Sequence, residues 1–252
     1  PGISGFQLLD LHDFPGQGTA LVGLLNAFWE SKGVANAEEF RQFSAPVVPL
    51  ARFSKAVYKN NEQFTADIEI ANYSSEEINN KNIKWALTNA SGQPLQEGII
   101  PLTNIKIGGG NIAGKISCSL SEVKKAERLT LRVSIENSSY KNTWNIWVYP
   151  ATLTIEKEEI VVTDKLTETQ KALAAGKTVL FNPPYQLCAG LQGKFVPVFW
   201  SPVHFPKQAG TMGLLLDPTH KAFAHFPTEG HTNWQWWSLT TQSRTLVIDS
   251  IY

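Results

Sequence analysis

The chain has 252 residues, 42% of them apolar and 17% charged, which excludes an extended disordered chain and allows one large domain or two ordinary ones plus a short leading unit. Lys+Arg and Asp+Glu both number 22, so no net field draws nucleic acid or an anionic membrane. No apolar run approaches the roughly 18 residues of a spanning helix, so neither nucleic acid nor membrane is expected as a partner.

Residues 5–13 read as an apolar strand, Phe6, Leu8, Leu9 and Leu11, that turns polar at its end with Asp10, His12 and Asp13. Residues 14–18 make a tight loop, Thr19 is an N-cap, and residues 20–29 have helical spacing that stops at Lys32 and Gly33. A lone parallel βα unit cannot bury its own strand. Residues 1–44 are therefore expected to be the back end of something larger, with the chemistry in what precedes them. Phe6, Leu8, Leu9 and Leu11 should then pair with a sheet or pack on a neighbouring layer. Pro1 opens the chain without a Met or a basic leader, which says nothing of compartment.

Residues 45–50, with Pro46 and Pro49, read as an extended linker because proline blocks helix. From Arg52 to Ile155 the pattern alternates with period two. Residues 64–71 are a half-buried strand with Phe64, Ala66, Ile68 and Ile70 on one face. Residues 82–87, 95–100, 112–120, 129–135 and 143–149 continue the series, with turn signals at residues 89–92, 108–111 and 137–139. About seven short strands in roughly 105 residues predict an antiparallel β-sandwich of immunoglobulin-like type, with Trp85 as its core tryptophan.

Beyond Glu159 the period changes. Residues 160–163 and 178–181 are short continuous apolar strands around a helix capped by Asp164 or Thr167 and closed at Gly176, which predicts a parallel β-α-β unit. Residues 195–200 and 213–216 are further strand candidates, and residues 246–252 end the chain inside another. The tail is expected to be truncated there.

Several stretches resemble glycoside hydrolase family 2, in its large β-galactosidase- or β-glucuronidase-like members. Residues 5–23 resemble the eighth strand and helix of that family's (β/α)₈ barrel. Asn72-Tyr73-Ser74, residues 84–87, Gly92 and Gly98 resemble the sandwich that follows the barrel, and residues 142–150 are similar to its closing strand. The tail, with residues 199–200, 205–206, 213–215, 217–218, His220, 226–228 and 233–237, looks like the extra domain such proteins carry. The implied architecture is multi-domain: a TIM-barrel remnant over 1–44, a β-sandwich over 45–156 and a partial α/β domain over 157–252. Family members are retaining β-glycosidases with two glutamates about 5–5.5 Å apart. Neither glutamate motif has a match here, so no catalytic residue is carried over and no cofactor is implied. The chain is then a non-catalytic C-terminal fragment of a glycosidase that acts on oligo- or polysaccharide. A periplasmic or secreted setting follows from the resemblance alone; the oligomeric state does not follow.

Asp10, His12 and Asp13 lie where a barrel builds its active site, so they are candidates for hydrogen-bonding sugar hydroxyls in the longer protein; the alternative is a helix cap and structural ion pairs. They would splay to opposite strand faces, which disfavours a metal. His204, His220, His225 and His231 lack the i, i+4 pairing of ligands on a helix. In residues 233–237, read as a strand, Trp234 and Trp236 share a face and could stack on sugar, with packing on the sandwich as the alternative. Two rivals stand beside this reading. A stand-alone carbohydrate-binding module predicts exposed, coplanar Trp. A small α/β hydrolase or amidotransferase-like enzyme predicts a triad at Cys188 or Ser201, though neither sits on a nucleophile elbow. Cys118 and Cys188 lack CxxC spacing and are expected as buried free thiols.

Overall fold

Alternating burial builds most of the molecule. The computed structural model describes residues 7–8, 11–17, 21–101, 104–152, 160–193, 213–241 and 243–247. Helix α1 (Ala37–Arg41) is followed by β1 (Val47–Arg52), β2 (Val57–Lys59), β3 (Gln63–Asn72), β4 (Ile78–Asn79), β5 (Asn82–Thr88), β6 (Pro94–Pro101), β7 (Asn104–Ile105), β8 (Gly108–Ser119), β9 (Glu127–Ile135) and β10 (Lys141–Tyr149). The tail carries β11 (Ile160–Thr163), α2 (Leu166–Ala174), β12 (Thr178–Phe181) and α3 (Trp237–Thr240). Among the described residues no helix is long and apolar enough to cross a membrane.

Two layers make a β-sandwich. One sheet has the order β1-β3-β8, the other β2-β10-β9-β5-β6. Phe64, Ala66, Ile68 and Ile70 of β3 are at most 1% exposed, as the period-two pattern requires. They belong to one core with Leu129, Leu131 and Val133 of β9 and Ile146 and Val148 of β10. Asn142 bridges the layers, donating from Nδ2 to the Pro49 carbonyl at 3.0 Å. Trp85 lies on an interior strand, half-buried against that core, and its ring rests over Gly98, its register partner on β6. Any Cβ at Gly98 would meet that ring at 2.8 Å, which is why the position takes glycine.

Three expectations change here. Residues 47–52 are strand β1 and not a linker; an edge strand tolerates Pro49 because its missing N–H owes the ladder nothing. The glycine run at 108–110 opens β8 instead of making a turn. Gly108 (φ 119°) and Gly110 (φ 77°) take up the register shift opposite Ile70–Asn72 of β3, and Asn111 Nδ2 holds the carbonyls of Ile70, Lys106 and Gly108. The sandwich is also not wholly antiparallel, because β2 joins β10 in parallel.

The leading unit departs furthest. Residues 21–29 contain no helix, and residues 11–17 contain no strand beyond isolated pairing. His12 bridges Leu25, and Leu25 bridges Ser31. Gly23 explains the loop: a Cβ there would come within 2.3 Å of the His12 backbone, so the chain folds back on itself at close range. Leu8 and Leu11 are 46% and 41% exposed, while Phe6, Leu9 and Asp10 lie outside the described residues. The structure does not show a TIM-barrel remnant.

In the tail β11 and β12 pair in parallel, from Ile160 opposite Thr178 to Thr163 opposite Phe181, with α2 between them in sequence. Gly176 (φ 72°) ends the helix as expected. The helix start differs: Lys165 occupies the N-cap without a side-chain bond, and Thr163 Oγ1 instead reaches Glu168 at 2.7 Å. Residues 213–216 form no strand beyond a bridge from Leu215 to His231, residues 246–247 are irregular, and residues 195–200 and 248–252 lie outside the described residues.

Phe64 is fully buried and packs against the rings of Phe53 and Tyr58, each 5.6 Å away. Phe64→Ala should destabilise the sandwich by about 3–5 kcal/mol, read from the shift of its denaturant unfolding curve.

Candidate functional site

The WQWW stretch is a helical turn, not a strand. Asn233 starts it: its Oδ1 accepts the Gln235 amide at 3.0 Å, as an N-cap does. Trp234–Trp236 is a 3₁₀ turn that runs into α3. Helical spacing separates Trp234 from Trp236 and brings Trp234 next to Trp237 instead. Their centroids are 5.6 Å apart at 34°, and they are 62% and 46% exposed. Trp236 turns inward. It packs edge-on against Phe226 at 4.8 Å and Phe223 at 5.7 Å, and its Nε1 donates to Thr228 Oγ1 at 2.9 Å. The expected Trp234/Trp236 platform is thus replaced by Trp234/Trp237.

This turn is seated on the sandwich. Gln235, 3% exposed, accepts from the Tyr149 hydroxyl at 2.7 Å and donates to the Pro227 carbonyl at 3.1 Å. Burial pushes the Tyr149 phenol well above its ordinary value, so it stays a donor. Glu229 pairs with Arg128 of β9 and accepts from Asn233 Nδ2 at 3.1 Å. Tyr149, Arg128 and Glu229 went unflagged in the sequence because their pairing spans segments far apart in the chain. Asn233 before an aromatic run was a legible N-cap signal, and it would have turned the strand into a helix.

The leading candidates are arranged differently. Asp10 lies outside the described residues. His12 stacks on Trp29, with centroids 4.4 Å apart, and its Nδ1 is 2.6 Å from the Asp13 carbonyl. Asp13 is 6% exposed and its Oδ1 is occupied twice, by Lys32 Nζ at 2.8 Å and by the Gly23 amide at 3.0 Å. The hydrogen bond from Lys32 holds its carboxyl below the usual aspartate range. In this arrangement Asp13 ties the fold-back together.

The histidines do not converge. His220 Nδ1 caps the turn Lys221–Phe223 by accepting the Ala222 amide, His231 lies 3.7 Å from Glu229, and His204 is outside the described residues. Among the described residues no three His, Cys, Asp or Glu side chains are grouped to hold a metal. Cys188 is buried, its Sγ 3.7 Å from the Pro184 carbonyl, and it borders a cleft of about 770 Å³ with Asp164, Asn182, Ser243 and Arg244. No histidine is among that cleft's described lining, and Ser201 lies outside the described residues. Cys118 is fully buried, which pushes its thiol up to about 11.

Residues 62–150 match a family model described as a domain of unknown function (DUF8488), and residues 161–252 match another (DUF8487). No curated protein matches the chain. Among solved structures, the CARDB domain of PF1109 from Pyrococcus furiosus is similar at TM-score 0.31 and 6% identity, over 41% of this chain and 93% of that one. The β-glucuronidase of Parabacteroides merdae is similar at TM-score 0.28 and 11% identity, over 40% of this chain and 13% of that one. The adhesin InvE of Yersinia pseudotuberculosis follows at TM-score 0.27 and 15% identity, over 41% and 32%.

The Asp13–Lys32 pair yields a pH prediction. Its carboxyl titrates lower in the folded chain than the ordinary 3.8, so its stabilisation is complete above that value and is lost as pH falls through the lowered one. Protection of the Gly23 amide from hydrogen exchange should therefore fall at low pH. In Asp13→Asn it should be weaker at neutral pH and nearly flat with pH.

Proposed function

We propose that this chain is a non-catalytic, carbohydrate-contacting part of a family 2-type retaining β-glycosidase, in which the tail, seated on the sandwich, presents an aromatic platform and carries no reactive chemistry. The observation that carries this reading is the exposed Trp234–Trp237 pair, fixed to the sandwich through Gln235 and Tyr149. Indole faces stack on the C–H faces of sugar rings, and a platform already held in place loses little entropy on binding. In this reading Trp237 takes the place of Trp236, whose ring serves the packing of the turn. The separation of a sandwich over 45–156 from a tail over 157–252 is part of the proposal and is supported by two family models that match separate stretches on either side of residue 157.

Residues 1–44 enter only through their sequence resemblance. In the longer enzyme, Asp10, His12 and Asp13 would belong to the substrate wall. The same Trp pair would also serve a stand-alone carbohydrate-binding module, so both readings make one prediction. Titration with neutral oligosaccharides should give a saturable change in Trp fluorescence. Trp234→Ala and Trp237→Ala should each weaken it about tenfold, corresponding to roughly 1.4 kcal/mol of lost stacking. A flat titration across a panel of neutral sugars, or unchanged affinity in the W234A/W237A double variant, would overturn the proposal.

A further inference from the structure

A second concave surface lies away from the Trp pair, between α1 and the outer face of the larger sheet. It is a cleft of about 790 Å³, within the usual range of ligand sites. Six charged residues line it: Arg41, Lys84, Arg132 and Lys141 against Glu38 and Glu136. Lys84 pairs with Glu136 at 2.8 Å, and Lys141 pairs with Glu38. Both carboxyls are held below their ordinary range, first by the hydrogen bonds from these lysines, so both are ionised. That leaves two guanidiniums over. Neither Arg41 nor Arg132 forms an ion pair or side-chain hydrogen bond among the described residues, and Arg132 acts on Glu38 only through space. Two cations without an ion-pair partner in one recess, on a chain whose total charge is zero, give the first cleft an excess of positive charge.

A neighbouring cleft of about 460 Å³ shares Lys84, Arg132 and Ser134 with the first and continues over Ala86, Gly98 and Ile99, with one carboxylate, Glu97, at its far side. Together they make a trough across β9, β5 and β6, longer than a single anion needs. Its remaining lining includes Ser134, Ser138, Asn137 and Tyr140, side chains that exchange hydrogen bonds with hydroxyls. The trough crosses the face of the sheet and meets the edge strand β6 only at one end, so a peptide lying along it could not extend the backbone ladder. We infer that this trough binds an acidic oligosaccharide, one bearing carboxylates or sulfates, with Arg41 and Arg132 as its forked anion partners. The planar fork of arginine matches either group in a bidentate contact. The saccharide class rests on the reading above; the preference for negative charge rests on the trough itself.

The test is calorimetric titration of the whole chain with tetragalacturonate, a sulfated tetrasaccharide, a neutral tetrasaccharide and tetraglutamate. The inference expects saturable binding of at least one acidic sugar, weakening as salt rises, and at least tenfold weaker in R41Q/R132Q. Both arginines are exposed, so that variant should keep the native circular dichroism spectrum. W234A/W237A should leave this binding unchanged, so failure of the Trp platform and failure of the trough are read separately. The inference is overturned if neither acidic sugar binds, if R41Q/R132Q binds as tightly as the native chain, or if tetraglutamate binds as well as the sugars.

Discussion

Strand β10 is buried on both of its faces at its C-terminal end, and the rest of the molecule is arranged around that constraint. Ile146 and Val148 point into the sandwich core and are fully buried. Trp147, 2% exposed, belongs to the opposite face and lies outside that core cluster. Tyr149 on the same outer face reaches Gln235, and its ring lies 6.1 Å from Phe226. The same strand therefore closes the sandwich and receives the tail. Continuous apolar character, rather than alternation, is what a strand with two buried faces requires.

That seam turns a weak aromatic run into a defined surface. Phe223, Phe226 and Trp236 form a half-buried cluster in which the Trp236 ring meets both phenylalanine rings edge-on. With Trp236 packed into it, Trp234 and Trp237 are the exposed tryptophans of the turn. The polar bonds at Gln235 and Glu229 then fix the turn against β9 and β10, while Trp147 Nε1 on the same outer face of β10 is buried without a hydrogen-bond partner among the described residues. The trough beneath α1 depends on another long-range tie: Gln42 accepts from the amide and hydroxyl of Thr143, which holds the short helix over the sheet. Charge is neutral over the chain but uneven in this cleft, because the ion pairs there engage Lys84 and Lys141 and leave Arg41 and Arg132.

Legibility followed the physics of each segment. Residues 64–71, 82–87 and 129–135 alternate cleanly, and the structure has strands there because one face of each meets a core. Residues 160–181 were legible for another reason: two short apolar runs flank a helix that ends on a glycine. The opening segment misled because an isolated helix of about ten residues is marginal without a partner surface. Asp13, Gly23 and Lys32 instead stabilise a fold-back whose contacts are not periodic. The glycine run at 108–110 was ambiguous in the same way, since turns and bulges both need positive φ.

By itself the sequence determined the sandwich, its core face on β3, the parallel β-α-β unit and the absence of any net field, because these follow from local periodicity and composition. Only the tertiary structure decided which tryptophans face solvent, that residues 11–17 form no continuous strand and residues 21–29 no helix, and that Arg41 and Arg132 share one recess. Those outcomes depend on partners distant in the chain, and one-dimensional patterning carries no information about which distant side chain occupies a given hydrogen bond or ion pair.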